Sequence, residues 1–331
     1  MCMALLRDSP DDLLALCGAA ADSLGIPEPA FVEKDFWVVE LLRSVVQPLD
    51  LEPVNNIPCS ATVRFKGGTS LSKAFGLIKR FSEDVDILVE CEGYGAGARE
   101  KRVLWPICER AGRDLGLSPE QVRKLDYKTG FTRNADYLVP SRLDSHAIRP
   151  DVRLEMGIRG GTLPGTQLRT ISSYIADHIA AAGIEADFEE LAPVEVDVIS
   201  PVRTLAEKLA LLHDAGRRAA QGNFEPLGQA GRHFYDIHQL LKSQDVTAAL
   251  SIPGQTMQIL AADVDAKSDE FGWSHTPRPE AGYAVSLAFE PASEVRDVSE
   301  QAYSQAQGLI WGERPTFDQI LASIAEARDL L

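Results

Sequence analysis

No apolar run in this chain approaches the ~20 residues needed to cross a bilayer, which argues against a membrane-spanning protein. The opening MCMALLRDSPDDLLALCG does not join a basic start to an uninterrupted apolar segment, so no secretory leader is expected. Paired cysteines are missing too. Cys2, Cys17, Cys59, Cys91 and Cys108 are scattered without C-x-x-C spacing, as expected of reduced thiols in a cytoplasmic protein with neither a zinc site nor a disulfide framework. Positive charge is scarce: 33 Lys and Arg face 49 Asp and Glu, for a net charge of −16. That balance opposes nonspecific adhesion to nucleic acid, whose affinity comes largely from neutralised phosphates. It leaves room for a local basic groove, for which Lys66, Lys73, Lys79 and Arg80 form one group and Arg123, Lys124 and Lys128 a smaller one. The ordinary reading of both is a solvated face.

What is present is the composition of a soluble globular protein, 45% hydrophobic and 25% charged. Its 331 residues are enough for two domains with separate cores. The informative stretch is 65–88, FKGGTSLSKAFGLIKRFSEDVDIL. It reads as a strand ending near Phe65, a turn at Gly67 and Gly68, a helix capped by Thr69 or Ser70, and a second strand. The helix is expected to bury Leu71, Ala74, Phe75 and Ile78, and its N-terminus, with Lys66 and Lys73 nearby, suits an anion such as a phosphate chain. On the following strand Ser82, Asp84 and Asp86 share one face, while Val85, Ile87 and Val89 share the other. Two carboxylates on one strand face repel unless a cation intervenes, and Mg²⁺, which takes carboxylates together with substrate phosphates, is the natural one.

The order G-G-T-S-L-x-K followed by R-F-S-x-D-x-D resembles the AbiEii/AbiGii toxin family, MenT-like members included, within the DNA polymerase β-like nucleotidyltransferase superfamily. The likeness spans roughly residues 33–240. It implies an α/β (α+β) nucleotidyltransferase core with a mixed sheet, assigned here to residues 1–165, and a mainly helical C-terminal domain at 166–331. A helix is expected over 9–24 and another over 28–45, the latter burying Phe36, Val39 and Leu42. In that second helix E-K-D-x-W-V resembles a family segment, making Lys34 and Asp35 site-rim candidates.

A helix is plausible over 99–115 and another short one over 117–124. Around 126–138, Tyr127, Phe131 and Tyr137 stand among Lys128 and Arg133, a pattern that stacks on a nucleic-acid end or, more ordinarily, packs a sheet edge. The alternation in 149–158, RPDVRLEMGI, predicts a strand with Val152, Leu154 and Met156 opposite Asp151, Arg153 and Glu155. The superfamily's third acid comes from a neighbouring strand, and L-E-M-G resembles that element, so Glu155 is preferred, with Glu195 and Asp197 of the predicted 194–199 strand as alternatives. Residues 160–165 read as a turn or linker and 171–182 as a helix.

Ser200-Pro201 is a strong helix start, and Leu205, Lys208, Leu209 and Leu212 then fall on one side of the helix. A lysine on an apolar face needs an anionic partner, either a neighbouring acid or a nucleotide triphosphate. T-L-A-E-K-L-A-L-L resembles the family helix whose lysine matters for catalysis, a role that falls on Lys208. Glu207 reaches Arg203. Residues 216–231 read as a loop. R-H-F-Y-D-I-H-Q-L then matches R-x-x-Y-D-x-x-x-L, which puts Asp236 in the site, with a local pair to Arg232 as the plainer reading. His233 and His238 lack metal-ligand spacing. The remainder reads as a short extended piece at 283–289, helices at 298–310 and 317–330, and core tryptophans Trp273 and Trp311.

The function expected is metal-dependent transfer of NMP from an NTP to an acceptor hydroxyl. Asp84, Asp86 and a third acid would hold one or two Mg²⁺. Gly67, Gly68, Thr69, Ser70, Lys73, Ser82 and Lys208 would bind the nucleotide. The resemblance implies the 3′ end of tRNA as acceptor, a block on translation and a cognate antitoxin. Transfer to a protein or small molecule, and a non-catalytic nucleotide-binding regulator, are the alternatives.

Overall fold

The computed structural model describes residues 4–125 and 127–331, so Cys2 and Asp126 lie outside the described residues. The chain forms two compact units. The first comprises Met1–Ala74, Phe81–Ile158 and Leu168–Val198, and the second Phe75–Arg80, Arg159–Gln167 and Ile199–Leu331.

Within the first unit the helices are α1 (Pro10–Leu24), α2 (Pro29–Val45), α3 (Gly67–Lys73), α4 (Ala96–Arg99), α5 (Trp105–Asp114) and α6 (Tyr174–Ala182). The strands are β1 (Ser60–Lys66), β2 (Asp84–Glu92), β3 (Val122–Lys124), β4 (Thr132–Tyr137), β5 (Val152–Gly157), β6 (Thr166–Ile171) and β7 (Val194–Ile199). They build one seven-stranded mixed sheet in the order β3-β4-β5-β2-β1-β7-β6. Strand β2 runs antiparallel to β1 and parallel to β5, which places it near the middle. Period-two alternation explains its two faces: Val85, Ile87 and Val89 are fully buried, while Asp84 and Asp86 point the other way. Strand β5 repeats the pattern, with Val152, Leu154 and Met156 buried and Arg153 and Glu155 half-buried.

Helix α2 is buried on nearly every side, as a helix enclosed by a sheet and other helices must be. Phe36, Val39 and Leu42 are inside as expected, and so are Glu33, Lys34 and Asp35. Burying three charges demands partners. Glu33 accepts from the Arg142 and Leu143 amides, both at 2.9 Å, and Lys34 donates to the carbonyls of Arg149, at 2.6 Å, and Asp151. Asp35 pairs with Lys73 at 2.8 Å and accepts from the Tyr174 amide at 2.7 Å. Lys34 and Asp35 are thus internal fasteners rather than site-rim residues.

The second unit holds α7 (Pro201–Ala220), α8 (Glu225–Gln229), α9 (Gly231–Lys242), α10 (Gln244–Leu250), α11 (Met257–Glu270), α12 (Arg296–Ala306) and α13 (Phe317–Glu326). Its core includes Phe234 on α9, whose ring meets Phe317 at 5.2 Å and Phe289 at 6.0 Å, edge to face in both cases.

Several expectations need correcting. The strands at 166–171 and 194–199 complete the sheet, so the chain does not divide at residue 165. Residues 119–124 form a short 3₁₀ turn and edge strand β3 instead of a helix. The 216–231 stretch is largely helical, because α7 runs on to Ala220 and α8 follows. Residues 283–285 form a 3₁₀ turn instead of an extended piece. Trp273 is 40% exposed under the Arg159 guanidinium, and Trp311 is half-buried, so neither is a core residue.

Candidate active site

In the first unit the site begins with backbone. Gly67 and Gly68 do not form a turn ahead of the helix; they are the first residues of α3. Gly67 has φ +77°, and a Cβ built there would strike the Asp86 carboxylate, coming within 2.6 Å of its Cγ. Only glycine allows that approach. Neither hydroxyl caps the helix, whose N-cap is Lys66. Thr69 Oγ1 donates to the Asp84 carbonyl at 2.5 Å and Ser70 Oγ to the Gly67 carbonyl at 2.9 Å, so both fasten α3 locally and to β2. The helix ends at Lys73, and Ala74, Phe75 and Ile78 lie beyond it.

Asp84 and Asp86 share a face of β2, and the parallel register sets Asp86 against Glu155 and Asp84 against Arg153. Arg153, held by Asp136 at 2.7 Å, gives the acidic face a positive neighbour. The alternatives for the third acid lie on β7, where Asp197 is ion-paired to Arg64. Ser82 precedes the strand. Among the described residues no three Asp, Glu, His or Cys side chains converge into a ready cation site. The donor set does match hard-cation chemistry of the Mg²⁺ type, in which one or two carboxylates suffice and substrate oxygens complete the sphere. Lys73 is directed elsewhere: its ammonium pairs with Asp35 and sits 3.7 Å over the Tyr174 ring, which removes it from a phosphate role. Burial pushes the Asp35 carboxyl above its usual range, against the pull of Lys73.

In the second unit a separate cluster sits on α7 and α9. Leu205, Leu209 and Leu212 are fully buried, with Lys208 among them. Its partner is Asp236, at 2.8 Å, and Asp236 also takes a two-pronged bond from Arg80, Nε at 2.6 Å and Nη2 at 2.7 Å. Burial acts to raise the Asp236 pKa, but Arg80 and Lys208 outweigh it and hold the carboxyl well below its usual range. Burial drives the Lys208 ammonium below its usual range, against the attraction of Asp236. Lys208 also meets His233 Nδ1 at 3.0 Å, and burial together with the Lys208 charge pushes that imidazole down to about 3. Glu207 reaches Arg203 at 2.9 Å, as its spacing predicted.

Arg80 and His233 are the residues that sequence reasoning missed. Arg80 was grouped with Lys66, Lys73 and Lys79 as a basic surface, yet it is 1% exposed and internally paired. Its place in R-F-S was the available signal. For His233 the signal was position, since it stands three residues before Asp236 on one helix face.

The aromatic and basic residues near the sheet edge largely pair with one another. The Arg133 guanidinium lies 3.8 Å over Tyr127 and 5.1 Å over Trp105, and it is ion-paired to Glu100.

A glycine whose backbone touches the acids of a central strand, in a mixed sheet, has the form of a nucleotidyl-transfer site. The sequence model of the family described as nucleotidyl transferase AbiEii toxin, type IV TA system, matches residues 56–323, and the chain belongs to that family of nucleotidyltransferases. The match runs through the C-terminal helices, farther than residue 240, and starts after α2. A comparison with curated proteins found no match. Among the described residues no helix is long and apolar enough to cross a membrane.

Proposed function

We propose that this protein is a metal-dependent toxin that transfers NMP from an NTP to the 3′ end of tRNA and so stops translation, with a cognate antitoxin restraining it. The observation that carries this reading is the seat of Asp86, against Gly67 on one side and in register with Glu155 on the other. Asp84 and Asp86 hold Mg²⁺, one ion or two, with Glu155 beside them. A cation bound there neutralises charge at the α-phosphate and lowers the pKa of the acceptor hydroxyl. The hydroxyl oxygen forms a bond to the α-phosphorus as the bond to the β-phosphate oxygen breaks, and pyrophosphate leaves. Gly67 and Gly68 admit the phosphates to bare backbone, Thr69 and Ser70 hold that backbone in place, and Lys208, set by Asp236, contributes a point charge to the nucleotide.

A second reading, transfer to a protein or small molecule, is favoured by the net charge of −16, which disfavours a polyanionic acceptor. Incubation with each labelled NTP, Mg²⁺ and either total tRNA or cell protein separates the two. Label in tRNA, abolished by chelator, is the expected result. Label on protein supports the second reading, and incorporation that survives chelation overturns the metal role. Lys208→Ala should cut turnover at limiting NTP about tenfold, the scale of one charge-assisted hydrogen bond.

A further inference from the structure

His233 belongs to no motif that led to the cluster, yet its ring touches the group on which nucleotide use is proposed to depend. Lys208 Nζ lies 2.8 Å from Asp236 Oδ2 and 3.0 Å from His233 Nδ1. An ammonium only donates, so Nδ1 must carry a lone pair and the ring proton must sit on Nε2. A lysine stem is flexible, and one acceptor leaves the ammonium free to rotate about that bond. Two acceptors in different directions fix two N–H vectors, and tetrahedral geometry then fixes the third. The charge balance points the same way: Arg80 and Lys208 face the single Asp236 carboxylate, leaving one positive charge in excess. A third cation at His233 would repel the ammonium it now accepts from.

We propose that His233 is a positioning residue whose Nδ1 lone pair, acting with Asp236, aims the remaining N–H of Lys208 at an anionic group of the nucleotide. This rests on Lys208 serving the nucleotide, as proposed above, so the experiment separates the two claims. His233→Leu removes the acceptor, whereas His233→Asn keeps one in the form of the amide oxygen. Expected are a rise of about tenfold in the KM for NTP in His233→Leu with kcat changed less than about twofold, and recovery of most of that KM in His233→Asn. Thermal melts establish that both variants fold.

Independently of turnover, ¹⁵N NMR of histidine-labelled protein should show the His233 ring as the Nε2–H tautomer, relaxing to a mixture in Lys208→Met. An unchanged KM in His233→Leu, or an Nδ1–H tautomer in the unsubstituted protein, overturns the proposal. A Lys208→Ala protein with unaltered NTP kinetics overturns instead the nucleotide role of Lys208, and the aiming claim falls with it; the tautomer would then still report whether the contact forms.

Discussion

The acidic strand of the first unit and the α7–α9 cluster of the second both gather charge, but they treat it in opposite ways. On β2 the carboxylates line a sheet face beside bare glycine backbone, and Asp86 remains half-buried. On α7 and α9 the carboxylate is sealed inside and clasped by two cations. The first arrangement leaves oxygens where a cation and phosphates can reach them. The second uses charge to fix charge. Substitution should therefore separate catalysis from stability in the first region and damage both in the second.

The sharpest test of that contrast is Asp86→Asn, which removes a metal ligand with little change in volume. Transfer should fall by at least about 10³-fold, roughly 4 kcal/mol of barrier, while the melting temperature stays within a few degrees. A variant with full turnover in Mg²⁺ would falsify the role given to Asp86. In the other region Asp236→Ala leaves Arg80 and Lys208 buried without their carboxylate and should cost about 3–5 kcal/mol in a denaturant melt. A loss below 1 kcal/mol would mean that the cluster is not the internal ion pair described.

Gly67→Ala combines both effects, because a methyl group would meet Asp86 in a left-handed conformation. About 1–3 kcal/mol of stability and most of the activity should go together, whereas Gly97→Ala, in open space, should do neither.

The smallest expected effect is a slope with pH. The folded-state pKa of His233 lies at about 3, below its ordinary 6.5, so the unfolded chain binds the extra proton first. Stability from this group is complete above the ordinary value and is lost as pH falls from 6.5 towards 3. Asp236, also depressed, adds a loss that begins only below the ordinary carboxylate range. His233→Asn should flatten the upper part of the melting-temperature profile and leave the lower part intact. An identical profile in the variant would rule out the buried neutral imidazole.

Much of this was legible in the sequence where periodicity and chemistry agreed. The alternation of Val85, Ile87 and Val89 with Asp84 and Asp86 gave β2 its faces, and Leu205, Leu209 and Leu212 gave α7 its buried side around Lys208. What stayed hidden depended on contacts distant in the chain. Lys73 looked like a phosphate ligand by proximity, but Asp35, thirty-eight residues earlier, claims it. Arg80 looked like a surface charge, and its partner lies 156 residues away. The helix after Gly68 was read too long because Ala74, Phe75 and Ile78 continue the apolar spacing, although Gly76, at φ +62°, adopts a conformation foreign to a helix. Strand β6 escaped because its exposed Gln167 and Leu168 give no clean alternation.

Helix α2 has a practical consequence. Glu33, Lys34 and Asp35 are consecutive, and residues set about 100° apart around a helix reach in three directions, to 141–143, to 149–151 and to the start of α6. A chain trimmed to the family-matched residues 56–323 would discard this rivet, leaving Lys73 without its counter-ion and the loop ahead of β5 untethered. Such a truncation should come out of cells as aggregate, and adding back the segment from residue 4 should restore soluble material. The span over which relatives resemble one another is, in this molecule, shorter than the span that can hold itself together.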